Sequence, residues 1–464
     1  MSLEEEVVQL RNENQALREQ VVVLLEQLEA VRQQLTTALE RIAELEQSSQ
    51  EPPPFVKPHR PPRTEEKKPR RKRAAEYNRG RKRETPTRVV VHELERCRTC
   101  GYRLRGQSLA RRRQVIDLPP PQPVEVVEHQ VLKRWCPKCE RWEVPSLDLQ
   151  GQVLGQARIG VRIASLVAYL RTSLRLPIRS IRTYLHTLHG LQVSSGEVVE
   201  LLHAVRRETQ AAVEALKAQA QSSPVLHGDE TGWRENGQNG YIWAFSTPGM
   251  EGVRYYEYDP SRGGAVVERI LEKQFAGHLI SDFYGGYNVY AGKHQRCWVH
   301  LLRDLHDLKR DQAADSEVIE WAQDVRQLYD DAHAFLQRDP PPSQQEREQQ
   351  YVGLVERTQD LGLKYASATN KTHPCNALAK RLMRHYDELF QFVLLAGVPA
   401  HNNLAERSIR PLVVVRKISG GSRSPQGTKT RMALASLFGT WQARGLNPFE
   451  QCFQLLSRTL FPQV

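Results

Sequence analysis

The chain has 464 residues, a formal charge of +12 and seven cysteines. That length exceeds what one hydrophobic core organises, so several modules are expected. The sequence holds no apolar run of 18 residues and opens on acidic, helical sequence, which argues against a membrane-spanning or exported protein. A soluble protein of the cytoplasm or nucleoid is expected.

Residues 7 to 45 carry a heptad, in which Val7, Leu10, Asn14, Leu17, Val21, Leu24, Leu28, Val31, Leu35, Ala38, Ile42 and Leu45 recur in steps of three and four. This pattern predicts a left-handed coiled coil. A buried amide at Asn14, an a position, fixes register and favours a parallel dimer. Seven prolines in residues 51–69 mark an extended linker. The positive charge is concentrated next to it: residues 57–113 hold 21 Lys/Arg against 6 Glu, a local +15, leaving the remainder slightly acidic. Arg70, Arg71, Lys72, Arg73, Arg81, Lys82 and Arg83 form its densest part. Such a block points to a polyanion, a nucleic acid rather than a membrane surface, although similar runs also occur in solvated tails.

Two CxxC pairs follow, Cys97/Cys100 and Cys136/Cys139, the second after strand-like "VEVVEHQVLKRW". Thiolates two residues apart can share one cation, and two such pairs complete a tetrahedral, closed zinc site that holds shape without doing chemistry. A redox dithiol is the alternative. Residues 158–220 read as helices. One ends at Gly190 and the next is capped at Ser194 or Ser195, the layout of a helix-turn-helix that could contact DNA.

The texture changes after Pro224. "VLHGD", "YIWAFST" and "VRYYEYD" read as strands, "GGAVVERILEKQF" as an amphipathic helix, "GHLISD" as a fourth strand, and a fifth is expected near "QRCWV". That order opens a ribonuclease-H-like domain, in which the first and fourth strands are central neighbours. Asp229 and Asp282 would end those strands, with Glu230 turned away and supporting the turn. Two carboxylates hold Mg²⁺ poorly. A third is expected from "AHNNLAERSIRP", where Asn402 or Asn403 caps a helix carrying Glu406 in its first turn and Arg410 one turn later. The charged helical segment between them reads as an insertion.

"HGDETGW", "SDFYGGY", "CWVHLLRDL", "NNLAERSIRP" and the C-terminal "GTWQARGLNPFEQCFQLL", behind a coiled coil and two CxxC pairs, resemble the IS66 family of bacterial transposases over nearly the whole chain. His401 departs from the acid expected before the two asparagines. The resemblance implies a DDE transposase: Asp229, Asp282 and Glu406 as the acidic triad, Asp229 bridging two Mg²⁺ (or Mn²⁺) ions. They would cleave the ends of a mobile element and join them to target DNA. His300, three residues after Cys297, is expected to support the site or touch phosphate, a second metal at that pair being the alternative. Asn402, Asn403, Arg407 and Arg410 are further candidates for support or phosphate contact. The expected fold class is multidomain α+β: coiled coil (1–50), Pro-rich and basic linker (51–90), zinc module (91–150), helical helix-turn-helix-like segment (151–222), and a ribonuclease-H-like core (223–300 and 397–464) split by a helical insertion (301–396). The expected partners are the element's terminal repeats, target DNA, a second protomer and accessory proteins of the same element. The rival readings are a transposase-derived DNA-binding protein or repressor without catalysis, and a metal-dependent nuclease without strand transfer.

Overall fold

The structure, a computed structural model, describes residues 27–29, 31–36, 84–272, 275–367, 369 and 371–457. The chain divides into two units, Met1–Leu118 and Pro119–Val464. Of the predicted coiled coil, residues 27–29 and 31–36 are described. They are helical, and the seam residues Leu28, Val31 and Leu35 are exposed. The remaining heptad positions, the Pro-rich linker and the basic residues from Arg70 to Arg83 lie outside the described residues.

In the first unit the chain from 84 to 118 is largely irregular. Its one ordered feature is the turn at the first cysteine pair, where Gly101 takes φ +71 and donates its N–H to the Cys97 carbonyl at 2.9 Å. In the second unit, the short strands β1 (Arg134–Cys136) and β2 (Arg141–Glu143) form an antiparallel hairpin around the second pair. The strand-like stretch before it pairs only from Arg134 onwards. Val126 and Val127 remain exposed, so β propensity alone did not make a strand there.

The helices α1 (Val161–Thr172), α2 (Ile178–His189), α3 (Ser195–Glu208) and α4 (Gln210–Gln221) follow. Gly190 ends α2 at φ +67, which an L side chain rarely adopts, and Ser194 caps α3 in a reciprocal capping box with Glu197. A five-stranded sheet comes next: β3 (Val225–Glu235), β4 (Gln238–Ser246), β5 (Arg254–Asp259), α5 (Gly264–Leu271), β6 (His278–Ser281) and β7 (Lys293–Arg296). The spatial order is β5-β4-β3-β6-β7, with β6 and β7 parallel to β3 and the other pairs antiparallel. The first and fourth strands are therefore central neighbours, in the expected order.

Period-two alternation sorts the sheet's two faces. Leu226, Trp243, Phe245 and Leu279 pack on one face with α1–α5 and the C-terminal helices α12 (Pro425–Ala443) and α13 (Pro448–Ser457). Their neighbours Ile242 and Ala244 turn to the other face, against α11 (Asn403–Ser419) and α12. Val225 and Ile280 turn there too, against a third core built from α6 (Trp298–Asp311), α7 (Ser316–Leu336), α8 (Gln344–Ala366), α9 (Asn376–His385) and α10 (Gln391–Leu394). The second face thus meets α11 on one side and the helices of residues 298–394 on the other. No helix among the described residues is long and apolar enough to cross a membrane.

Candidate active site

Asp229 does not end its strand, as the sequence reading had it. β3 runs on to Glu235 and turns back through Asn236 (φ 47) and Gly237 (φ 80) into β4. The Asn-Gly pair is the two-residue hairpin signal, and both positions take the positive φ it requires. What ends near Asp229 is the parallel partner. The β3–β6 ladder runs from Val225↔His278 to His227↔Ile280, so Asp229 and Asp282 lie at the same register, each two residues past it. By alternation both share the face of Val225 and Ile280, the face on which α11 packs.

α11 brings the third acid. Glu406 lies in its first turn and is exposed. Asn402, immediately before the helix, makes no capping bond, contrary to expectation. Its buried side chain instead joins the helix to β3: Nδ2 donates to the Gly228 carbonyl at 2.7 Å and Oδ1 lies 3.0 Å from His227 Nδ1. Its backbone N–H donates to Cys297 Sγ at 3.2 Å. Further along, the Arg416 guanidinium binds Thr231 Oγ1 and the Gly232 carbonyl. The helix bearing Glu406 is thereby tied to the strand bearing Asp229 at both ends. Asn402→Ala should strip His227 and the Gly228 carbonyl of buried partners, costing about 1–3 kcal/mol in urea unfolding. By loosening Glu406 it should also slow any cleavage about 10²-fold. Unchanged stability and rate would show that the tie is idle.

The electrostatics follow from this crowding. Burial first, then the neighbouring charges of Glu230 and Asp282 and, more weakly, Glu406, push the Asp229 carboxyl up to about 7. The Glu230 backbone N–H, which donates to Asp229 Oδ1 at 2.9 Å, opposes the shift. No arginine or lysine pairs with Asp229, Asp282 or Glu406 among the described residues. Glu406 has only His300, at 3.8 Å. The three carboxylates lie near enough to act on one another electrostatically, although their oxygens do not all come within 4.8 Å of one another.

Glu230 turns from the triad face, as expected, but it supports no turn. Paired opposite Trp243 within the continuing strand, it accepts from Tyr287 Oη at 2.7 Å and from the Arg262 guanidinium at 2.6 Å. Tyr287 closes "SDFYGGY", so its motif was visible although its task was not. Gly228 packs closely beside it, since a Cβ there would come 3.0 Å from the Tyr287 ring and the ring would have to shift by a few tenths of an ångström.

The main chain at Asp282 is braced from below. Arg296, 1% exposed, donates to the Asp282 carbonyl (3.0 Å), Ser281 Oγ (3.1 Å), Asn288 Oδ1 (2.7 Å) and Glu388 Oε2 (2.5 Å). Burial would raise the Glu388 carboxyl, but His385 and Arg296 hold it down at about 2. Asp282 Oδ1 itself accepts the Tyr284 N–H at 2.9 Å.

His300 lies in the first turn of α6, and its Nδ1 is buried with no hydrogen-bond partner. With Cys297 and Glu406 it forms the one group of three ligand atoms within 4.8 Å of one another among the described residues. Burial raises the Cys297 thiol, opposed by the Asn402 N–H. Asn403 opens α11 half-buried, and Arg407 and Arg410 are exposed on it.

Each cysteine pair is preformed locally. Backbone N–H groups of Cys100 and Thr99 bring the Cys97 thiol down to about 7, and those of Cys139 and Lys138 lower Cys136. All four cysteines are free thiols.

Together these elements make an α+β protein in which Asp229 and Asp282 share a register on adjacent central strands and Glu406, on the helix against that face, lies within ligand distance of Cys297 and His300. The chain belongs to the IS66 transposase family, whose model, described as Transposase IS66 family, matches residues 156–430. It is 28% identical over 169 residues to the uncharacterized protein y4jO of Sinorhizobium fredii (strain NBRC 101917 / NGR234), covering 36% of this chain and 49% of that one. To the uncharacterized protein y4qI of the same organism it is 27% identical over 217 residues, 44% of this chain and 39% of that one. The chain thus spans at most about half the length of these curated relatives. Among solved structures, a chain of the simian T-cell lymphotropic virus intasome in complex with PP2A regulatory subunit B56 gamma matches 34% of this chain and 66% of its own. At 11% identity and a TM-score of 0.14, that likeness carries no structural argument.

Proposed function

We propose that this chain is a DDE-type transposase with a ribonuclease-H-like core, cutting the ends of an insertion sequence and joining them to target DNA. The observation that supports it most is the in-register placement of Asp229 and Asp282 on adjacent central strands, on the face where α11 carries Glu406. These three carboxylates would hold Mg²⁺ or Mn²⁺. When bound, the cations supply activation of water or a 3′-hydroxyl and stabilisation of the leaving oxygen. The protein's share is positional: the Asn402 tie holds Glu406 against β3, and Arg296 fixes the main chain at Asp282. His300, beside Glu406, orients that carboxylate or meets a phosphate oxygen, and Arg407 and Arg410 offer exposed charge to the DNA backbone.

In this reading the basic residues from Arg70 to Arg83, the CxxC module and α2–α3 bind the terminal repeats, with phosphate contacts giving salt-dependent affinity. The N-terminal heptad pairs two protomers, and so two ends. Cys97, Cys100, Cys136 and Cys139 together hold one structural zinc. Purified protein should then carry about one zinc per chain after dialysis, measured by metal emission spectroscopy. Absence of metal, or full folding with all four cysteines changed to serine, would remove the zinc.

The test of function is incubation with DNA carrying the element's terminal repeats and Mg²⁺. Nicked ends and joined products are expected. Tight, repeat-specific binding without either would favour a DNA-binding protein derived from a transposase, and nicking without joining would favour a nuclease.

A further inference from the structure

A second site lies away from the carboxylates. Helices α1, α3, α11 and α12 enclose a cavity of about 350 Å³, near the lower end of the roughly 300–1,000 Å³ typical of small-molecule pockets. Much of its wall is apolar, including Leu202, Leu412, Val415 and Leu434.

Three arginines also line it, Arg171, Arg431 and the exposed Arg423, and among the described residues none of them forms an ion pair with a carboxylate. Arg171 Nη1 donates to the Leu176 carbonyl at 2.8 Å, and Arg431 lies over the Trp233 ring at 5.9 Å. Burial, with Arg171 as a secondary cause, pushes the Arg431 guanidinium below the ordinary arginine range. Arg171 and Arg431 are half-buried, and a partly desolvated cation without an anion is incompletely compensated, which an anionic ligand in the cavity would relieve. The N-terminus of α12 adds positive potential, because its cap Ser424 and first-turn Gly427 reach the same cavity. The polar His203 in the wall is already satisfied by Thr430 Oγ1 at 2.7 Å. The unmet demand is therefore for negative charge, beside an apolar body of limited size.

We propose that this cavity takes a single unpaired nucleotide, its phosphate on Arg171 and Arg431 and its base among the apolar side chains. The choice of a nucleotide over other apolar anions rests on the DNA-handling reading above. Its source is either a free mononucleotide or a nucleotide splayed from a DNA end.

Binding is read in EDTA, so that it stands apart from cation-dependent cleavage. The probes are the deoxynucleoside monophosphate of 2-aminopurine, the same nucleoside without phosphate, a duplex with the fluorescent base in a single-stranded end, and a duplex with it fully paired. The monophosphate or the frayed end should change emission on binding, and which of them does so identifies the source. The nucleoside and the paired duplex should not. Arg431→Met should weaken binding roughly 10–100-fold while leaving Tm unchanged or higher, because a desolvated cation has been removed. Val199→Trp, at the exposed rim on α3, should block the cavity independently. Equal binding of nucleoside and monophosphate, or full binding by both variants, would overturn the proposal. So would a fall in Tm of Arg431→Met accompanied by full binding in Val199→Trp. If the protein cuts DNA but binds no probe, the cavity assignment alone fails.

Discussion

Asp229→Asn is expected to abolish strand cleavage and joining, by about 10³-fold or more, and at the same time to make the cation-free protein more stable above pH 7. The first effect follows if Asp229 is the most central cation ligand, since an amide supplies neutral oxygen where charge is required. The second follows from its surroundings. The Asp229 carboxyl is raised from its ordinary 3.8 to about 7 by burial and by Glu230, Asp282 and Glu406. Folding then favours the protonated acid, so its contribution to stability is intact below pH 4 and lost as pH rises through about 7. Asparagine cannot ionise, and the variant should gain roughly 2–4 kcal/mol over the parent at pH 8 in EDTA, with little difference at pH 4. Added Mg²⁺ should raise the parent's Tm and leave the variant's unchanged. Thermal melts at the two pH values, with and without Mg²⁺, check each part. A variant less stable than the parent at pH 8 would mean that Asp229 carries a structural bond.

Arg296→Met should lose about 3–5 kcal/mol of unfolding free energy, because it removes one partner of a buried pair and leaves Glu388 without its guanidinium. Three further acceptors lose the same donor: Ser281 Oγ, Asn288 Oδ1 and the Asp282 carbonyl. The Glu388 carboxyl is depressed to about 2, so its stabilisation in the parent is present above its ordinary 4.5 and disappears as pH falls toward 2. The deficit of the variant should therefore be full at pH 7 and shrink below pH 4. Urea unfolding across that range measures it, and a variant within 1 kcal/mol of the parent at pH 7 would show that the pair is not load-sharing. Cleavage should fall as well, through the main chain at Asp282.

Local signals carried much of this arrangement. Alternating apolar residues gave the strands, Gly190 and Ser194 bounded the helices, and two aspartates at matching places in the strand order pointed to one face. Two local signals were present and went unused. Asn236-Gly237 marks a hairpin, which would have shown that β3 passes through Asp229, and the terminal tyrosine of "SDFYGGY" is the partner of Glu230. Asn402 looked like a cap because asparagine before a helix usually is one. Its side chain goes instead to residues 174 and 175 positions away in sequence. The Arg296–Glu388 pair spans 92 residues. Such bonds are set by tertiary packing, and periodicity within a window does not report them.

The claim that Asp229, Asp282 and Glu406 form one site is tested most directly by non-additivity. Single-turnover cleavage of a terminal-repeat DNA would be compared for Asp229→Asn, Asp282→Asn, Glu406→Gln and the triple variant. Residues acting as a unit fail together, so each single variant should fall to nearly the same residual rate as the triple one. If Glu406→Gln cleaved at the parent's rate, or the losses multiplied independently, the three acids would not be one catalytic centre.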